Sequence, residues 1–349
     1  MCRRQFVNKN RKALSGDGLK VARGVFLLNG FKAQGEVRLI GAAVGGDLNC
    51  QNGQFINENG YAFLADGLKA DGNIFLRNGF KAQGTVSLVG ASTDRYFCLT
   101  AIDSPEEMTL DLRSATIGTL YDDRESWPQS GQLFLHGLEC EEISQQSPRD
   151  SSTRILWLQL QKGFSPQPYE QLAKVLRESG DNAGARDVLV AKNKDKAKLT
   201  KLTRAEWFWY RLFGPLIGYG HKPWLALPLA LMIVLSGWAF FTEGYSYGLV
   251  TPLSESAYEV DVAGARRISE AYPVFNSFVY SMDVFVPVVD LHQVKYWLPN
   301  ANRGSELVPT GSAAFCTGGL LLFWLWIETA LGWILTTLFL VGITGLVRT

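Results

Sequence analysis

Residues 67–91 read GLKADGNIFLRNGFKAQGTVSLVGA, and residues 18–42 read GLKVARGVFLLNGFKAQGEVRLIGA. Set at an offset of 49 they agree at 16 of 25 positions, among them Phe26 with Phe75, Phe31 with Phe80 and Val37 with Val86. This is an internal repeat, and self-similarity at a fixed period is the mark of stacked units rather than one closed core. A shorter rhythm runs inside it. Apolar pieces recur at residues 25–27, 37–39, 48–50, 62–64, 74–76 and 86–88, separated by Gly, Asn or Asp. Short strands with such corners bury an apolar face only by stacking on one another. The expected fold of residues 1–165 is a right-handed β-solenoid, with a small antiparallel sandwich as the alternative.

The pentad FKAQG begins at Phe31 and again at Phe80. It marks the same corner of successive coils rather than a ligand site. Dinucleotide chemistry of the GxGxxG kind requires a helix after the glycine turn. Here more strand follows, so no cofactor is expected. Residues 118–121 and 131–135 continue the stack or cap it, because a bare terminal coil leaves strand edges unpaired. Asp122 and Asp123 read as a solvated turn.

After the repeats, residues 169–179 carry Tyr169, Leu172, Ala173 and Leu176 at helical spacing, and residues 183–191 resume with Ala185, Val188 and Leu189. With Gly180 between them they predict a helical hairpin. Lys192, Lys194, Lys196, Lys198, Lys201, Arg204 and Arg211 follow, then Lys222, interleaved with Trp207, Phe208, Trp209 and Tyr210. Aromatics beside a basic run suit a helix lying on anionic lipid, so Trp207, Trp209 and Lys222 are candidate interfacial residues. Residues 166–222 thus form a helical linker. Nucleic acid is not an expected partner.

Two long apolar runs complete the chain. Residues 224–242 comprise 19 positions without a charge, and residues 307–347 carry only Glu328. About 20 apolar residues suffice to cross hydrocarbon as a helix. Residues 223–349 therefore form a two-span membrane domain, the second span covering about residues 319–347. Whole-chain figures conceal this: 47% of the 349 residues are apolar and the formal net charge is +1. Residues 244–318 hold four Lys or Arg against seven Asp or Glu, so the positive-inside rule puts the basic stretch, the repeat domain and the C-terminus in the cytoplasm. Cys2, Cys50, Cys98, Cys140 and Cys316 form no CxxC or Cys/His cluster, which suits a reducing compartment and gives no metal site. His136, His221 and His292 fall in different regions and suggest no catalytic pair.

Between the spans, residues 275–291 read FNSFVYSMDVFVPVVDL. Asp283, Pro287 and Asp290 make a third plain span expensive, so a re-entrant or interfacial helix is expected, continuing to Gln293 and Trp297. A span, a short helix and a second span is the layout of oligomeric channels. Asp283, Asp290 and Glu328 are then candidate pore or ion-path residues, forming carboxylate rings in a homo-oligomer. Glu328 either faces protein, water or a partner chain, or sits at the outer headgroups.

The chain also resembles a bacterial family of membrane proteins with pentapeptide-like repeats, often catalogued as membrane-associated oxidoreductases. The residues that carry the resemblance are the repeats quoted above, SWPQSGQLFLHGLE from Ser126 and FSPQPYEQLAKVLRESGDNAGARDVLVAK from Phe164. It continues through YSMDVFVPVVDLHQVKYW from Tyr280 and GWILTTLFLVGITGLVR from Gly332. The resemblance implies a multi-pass protein of the bacterial inner membrane and attaches no catalytic residue to these motifs. Three functions are open: an oligomeric membrane protein with a cytosolic sensing or assembly domain that binds a protein partner and forms a pore; a membrane-tethered scaffold; and a membrane-associated oxidoreductase.

Overall fold

The computed structural model describes residues 5–208, 210–211, 214–260, 266–308 and 315–344. They form two compact units, one running to Trp207 and the other starting at Phe208. The first is a β-solenoid of about six turns. Its first coil holds β1 (Gln5–Ser15), β2 (Lys20–Val21) and β3 (Val25–Phe26). The second holds β4 (Lys32–Arg38), β5 (Ala43–Val44) and β6 (Leu48–Asn49). The third holds β7 (Gln54–Leu64), β8 (Lys69–Ala70) and β9 (Ile74–Arg77). β10 (Lys81–Ser87) and β11 (Ser92–Thr100) make the fourth, β12 (Met108–Asp111) and β13 (Thr116–Asp122) the fifth, β14 (Leu133–Phe134) and β15 (Glu139–Ile143) the sixth. One stacked sheet runs β1-β4-β7-β10-β12-β14, and its neighbours pair in parallel throughout.

Lys32 faces Gln54, 22 positions on, and Gln54 faces Lys81 after a further 27. The 49-residue repeat is therefore two coils, and Phe31 and Phe80 lie on alternate coils, not successive ones. Packing explains the doubling. Ala33, Phe55 and Ala82 share one register position. On the coil between the two FKAQG pentads the order of large and small is reversed, Gly53 then Phe55 against Phe31 then Ala33. The rings of Phe31, Phe55 and Phe80 consequently interleave at 5.2 Å between centroids. At these two positions a close-packed core takes the bulky ring alternately from one and then the other on successive coils.

The corners are as regular as the strands. Gly18, Gly41, Gly67, Gly90, Ser114 and Gly137 all take positive φ, as do Asn29, Asn52, Asn78 and Ala101 at a second corner. Gly and Asn meet that left-handed geometry at least cost.

Three helices close the far end: α1 (Ser151–Gln159), α2 (Gln167–Glu178) and α3 (Asn182–Leu199). Trp157, Leu172, Val175 and Val188 join the apolar core of the coils. Edge backbone groups of the last coil are met by glutamines. Gln167 accepts from Gly137 N at 2.8 Å and donates to Leu138 O, and Gln171 donates to Cys140 O at 2.7 Å. This serves the need that makes bare sheet edges sticky. Cys50, Cys98 and Cys140 are buried thiols, and burial pushes Cys98 and Cys140 up to about 11. α4 (Arg204–Phe208) opens on a capping box, in which Thr203 and Glu206 exchange side-chain to backbone hydrogen bonds.

The second unit is built on α5 (Ala226–Ser246), α6 (Ser277–Phe285) and α7 (Thr317–Thr344). Residues Pro223–Ser246 and Thr317–Ile343 are long and apolar enough to cross a membrane. At 1.5 Å per residue α7 spans about 42 Å and α6 only about 14 Å. Small residues let the three meet. A Cβ on Gly244 would fall 2.3 Å from Leu321, and one on Gly332 would fall 1.9 Å from the Phe285 carbonyl oxygen.

Candidate functional site

Glu328 lies midway along α7 and is wholly buried. Its Oε1 is 2.5 Å from Ser281 Oγ on α6, and Trp324 Nε1, one turn earlier on α7, donates to Oε2 at 3.0 Å. Ser281 Oγ in turn stands 2.9 Å from the Val234 carbonyl of α5. On the α5 side the carboxyl has room only because residue 237 is glycine, where a Cβ would lie 2.4 Å from both Glu328 oxygens and 2.5 Å from Ser281 Oγ. One residue from each helix thus converges on a single carboxyl group.

A serine hydroxyl has one proton, and a carbonyl only accepts. Ser281 cannot serve both Val234 and a fully acceptor Glu328. A carboxyl that itself carries a proton completes the set, donating to Ser281 Oγ while Ser281 donates to Val234. Beside the junction Tyr280 is buried against Phe241 and Phe275, and its hydroxyl has no hydrogen-bond partner among the described residues.

The other expected residues are not brought to this point. Asp283 accepts the backbone N–H of Leu291 at 2.7 Å and of Val294 at 2.9 Å, which fastens the chain leaving α6. α6 ends at Phe285, two residues before Pro287, as a ring that cannot donate demands. Asp290 is exposed and paired with Lys295, whose ammonium holds its carboxyl below the ordinary carboxylate range. Gln293 accepts from Asn276 N at 3.1 Å at the start of α6. Trp297 is buried in a ring cluster with Tyr245, Tyr272 and Phe275, and its Nε1 donates to Pro273 O. Trp207 is exposed, Lys222 is half-buried ahead of Pro223, and Trp209 lies outside the described residues.

One correction falls in the solenoid. Asp122 is not a solvated turn but is 1% exposed, opposite an Arg154 side chain that is 0% exposed. Arg154 makes two parallel bonds to it, at 2.6 and 2.8 Å, and Trp127 Nε1 adds a third at 2.8 Å. The guanidinium also faces the rings of Trp127 and Trp157. Asp123, its neighbour, accepts from Ser126 N and Ala101 N. Asp122 is the last residue of β13 and faces inward in step with Leu120, whereas Asp123 caps the 3-10 turn Arg124–Ser126 that follows.

Sequence reasoning found Glu328 and missed Gly237, Ser281 and Trp324. A faint signal existed, since Ser236 and Gly237 are adjacent small residues in the middle of α5 and small residues mark close helix approach. Among the described residues no group of three or more His, Cys, Asp or Glu is arranged to hold a metal ion. No protein-family model, curated protein or solved structure matches the chain.

Proposed function

We propose that this chain is a membrane-tethered scaffold, a β-solenoid platform on the basic, cytoplasmic side of a bilayer, anchored by α5 and α7. The observation that carries this reading is the intramolecular engagement of Glu328, whose two oxygens meet Ser281 and Trp324 of the same chain. A carboxylate ring requires side chains that face a lumen. Here the buried carboxyl joins three helices, and Asp283 is engaged by backbone N–H groups. α6 fits a re-entrant helix in this arrangement. It is too short to cross the roughly 30 Å core, yet Ser281 reaches the middle of both spans. The solenoid's stacked faces then serve to bind a protein partner or a second copy.

Current recording on the purified chain in planar bilayers tests this against the pore. Wild type, Asp283→Asn, Asp290→Asn and Glu328→Gln are all expected to be silent. Glu328→Gln is also expected to keep the thermal stability of wild type in detergent, because an amide donates and accepts as a protonated carboxyl does. Glu328→Leu leaves Ser281 and Trp324 short of partners and is expected to lower it. A cation current that Glu328→Gln abolishes would overturn the scaffold in favour of a pore.

A further inference from the structure

Among the described residues the solenoid is closed at one end only. Its sixth coil lies under the helical lid, whereas β1, β2 and β3 stand at the ends of their stacked sheets. β1 runs for 11 residues beside β4, and none of the described strands pairs with its other side. Backbone N–H and C=O groups leave a strand on both sides, so the outer ones of β1 have no ladder partner. One class of ligand satisfies such a row of groups, an extended polypeptide.

The apolar core is open on the same side. Phe6 ends the column of rings that runs through Phe31, Phe55 and Phe80, and its centroid lies 5.6 Å from that of Phe31. Phe6, Leu14, Val21 and Val25 are only half-buried. The residues they face on the second coil, Ala33, Val37, Val44 and Leu48, are buried. An occupant therefore has to bring apolar side chains at alternate positions, which a strand turns to one face.

Charge decides what lies between them. Residues 5–30 carry five Lys or Arg against one acid, Asp17. The same count is two against two over residues 31–53 and two against three over residues 54–80, so the excess belongs to the first coil. Asp17 is engaged by Arg38 of the second coil at 3.0 Å, while Lys12, Lys20 and Arg23 are exposed. A second copy set edge to edge would oppose these cations with its own, and like charges across a strand pair repel. The register also shifts on either side of Lys12, and a bulge with lysines beside it is how sheet edges avoid self-pairing. The cations that repel a second copy attract a strand bearing Asp or Glu.

We propose that the outer edge of β1 docks an extended segment of a partner protein in which apolar residues alternate with Asp or Glu, added to the solenoid as a further strand. This rests on the scaffold reading above, whose partner site it names.

The test is fluorescence anisotropy of a labelled peptide as long as β1, alternating Val with Glu, titrated with the full chain in detergent. Saturable binding is expected, about tenfold tighter than that of the Val-Lys counterpart. Lys12→Gln combined with Lys20→Gln and Arg23→Gln, all exposed, should weaken the Val-Glu peptide about tenfold. The N–H groups of alternate residues leave a strand on opposite sides. N-methylating one of the two sets, Val or Glu, should therefore abolish binding, and N-methylating the other should leave it. No binding by wild type, equal affinity for the two peptides, or an affinity unmoved by the triple substitution overturns the proposal. Indifference to both methylation patterns overturns it too, since the cations would then hold any polyanion, an anionic lipid surface included. A wild-type dimer in sedimentation that the peptide does not dissociate gives the edge to a second copy and has the same force. The scaffold reading fails separately. A cation current in planar bilayers overturns it and leaves the peptide result standing, whereas silent bilayers with no peptide bound overturn the edge alone.

Discussion

Asp122 and Arg154 meet inside the closed end of the solenoid with their charges fully removed from water. Such a pair adds little net stability over apolar residues, but removing one partner strands the other, at about 3–5 kcal/mol. Asp122→Ala is therefore expected to destabilise the solenoid by that amount in chemical denaturation, and Asp122→Leu with Arg154→Met to recover only part of it, because Trp127 Nε1 and the Pro148 carbonyl then lose their partners. A loss below 1 kcal/mol for Asp122→Ala would mean that water reaches the guanidinium. Nearby, Asp150 caps α1, accepting from Thr153 N at 2.8 Å and Ser152 Oγ at 2.7 Å. Hydrogen bonds from Thr153 and then Ser152 hold its carboxyl down at about 2, against an ordinary 3.8. A depressed carboxyl stabilises the fold above its unfolded value and loses that contribution as pH falls through its folded one. Asp150→Ala should thus cost about 1 kcal/mol at pH 7. The gap to wild type should narrow as pH drops from about 4 through 2, as read from denaturation midpoints. A gap constant down to pH 2 would remove the charge from the explanation. The buried pair was not legible in sequence. Asp122–Asp123 looks like any polar turn, and Arg154 lies 32 positions away, so only the folded chain shows that they meet.

At the scale of elements, the strands and corners of the solenoid were open to reading because each coil must solve the same problem. Every turn needs residues tolerant of positive φ, and every strand needs an apolar face, so Gly, Asn and Val or Leu recur in step. The number of coils per repeat was not open, since the third coil shares no FKAQG and its fit depends on ring volume. Gly53 there has no space for a side chain, because a Cβ would lie 2.6 Å from the Leu27 carbonyl oxygen. Phe55 fills that level with Phe63 of the same coil beside it, 0% exposed between Phe31 and Phe80. Phe55→Ala is expected to cost about 3–5 kcal/mol in equilibrium unfolding. The volume-restoring pair Gly53→Phe with Phe55→Ala, which would copy the order of the neighbouring coils, should not rescue it, because the obstacle is backbone. Recovery to within 1 kcal/mol of wild type would show that the alternation is incidental. The two long apolar helices divide the same way. Their apolar length was plain in the sequence, but the junction at Glu328 depends on which face each helix turns inward, and no periodicity in an all-apolar helix records that.

At the scale of the whole molecule, each unit holds an apolar core of its own. The core of the first runs without a break from the coils through Trp157, Leu172 and Val188 to Ala191. The helices that the sequence assigns to a linker thereby act as the solenoid's lid, hiding the edges and apolar face that its sixth coil would otherwise expose. Beyond Ala191 the composition changes. α3 ends at Leu199, which is 63% exposed, and residues 200–203 separate it from α4, with Lys201 and Arg204 exposed. A protease needs accessible backbone outside regular structure, and Lys201 offers that between α3 and α4. Brief trypsin treatment of membranes carrying the chain is expected to cut first after Lys201 or Arg204. The released N-terminal fragment should stay in solution without detergent, since its helical lid goes with it, and should unfold in one cooperative step. The rest should sediment with the membranes, retained by the two helices that begin after the cut. A fragment that ends near residue 165, before the lid, should instead aggregate through the bare edges of β14 and β15. If trypsin opens the coils before it reaches Lys201, or if the longer fragment precipitates once released, then the solenoid needs the membrane unit to stand. A scaffold that presents its platform to partners would then have to be pictured as a single cooperative body.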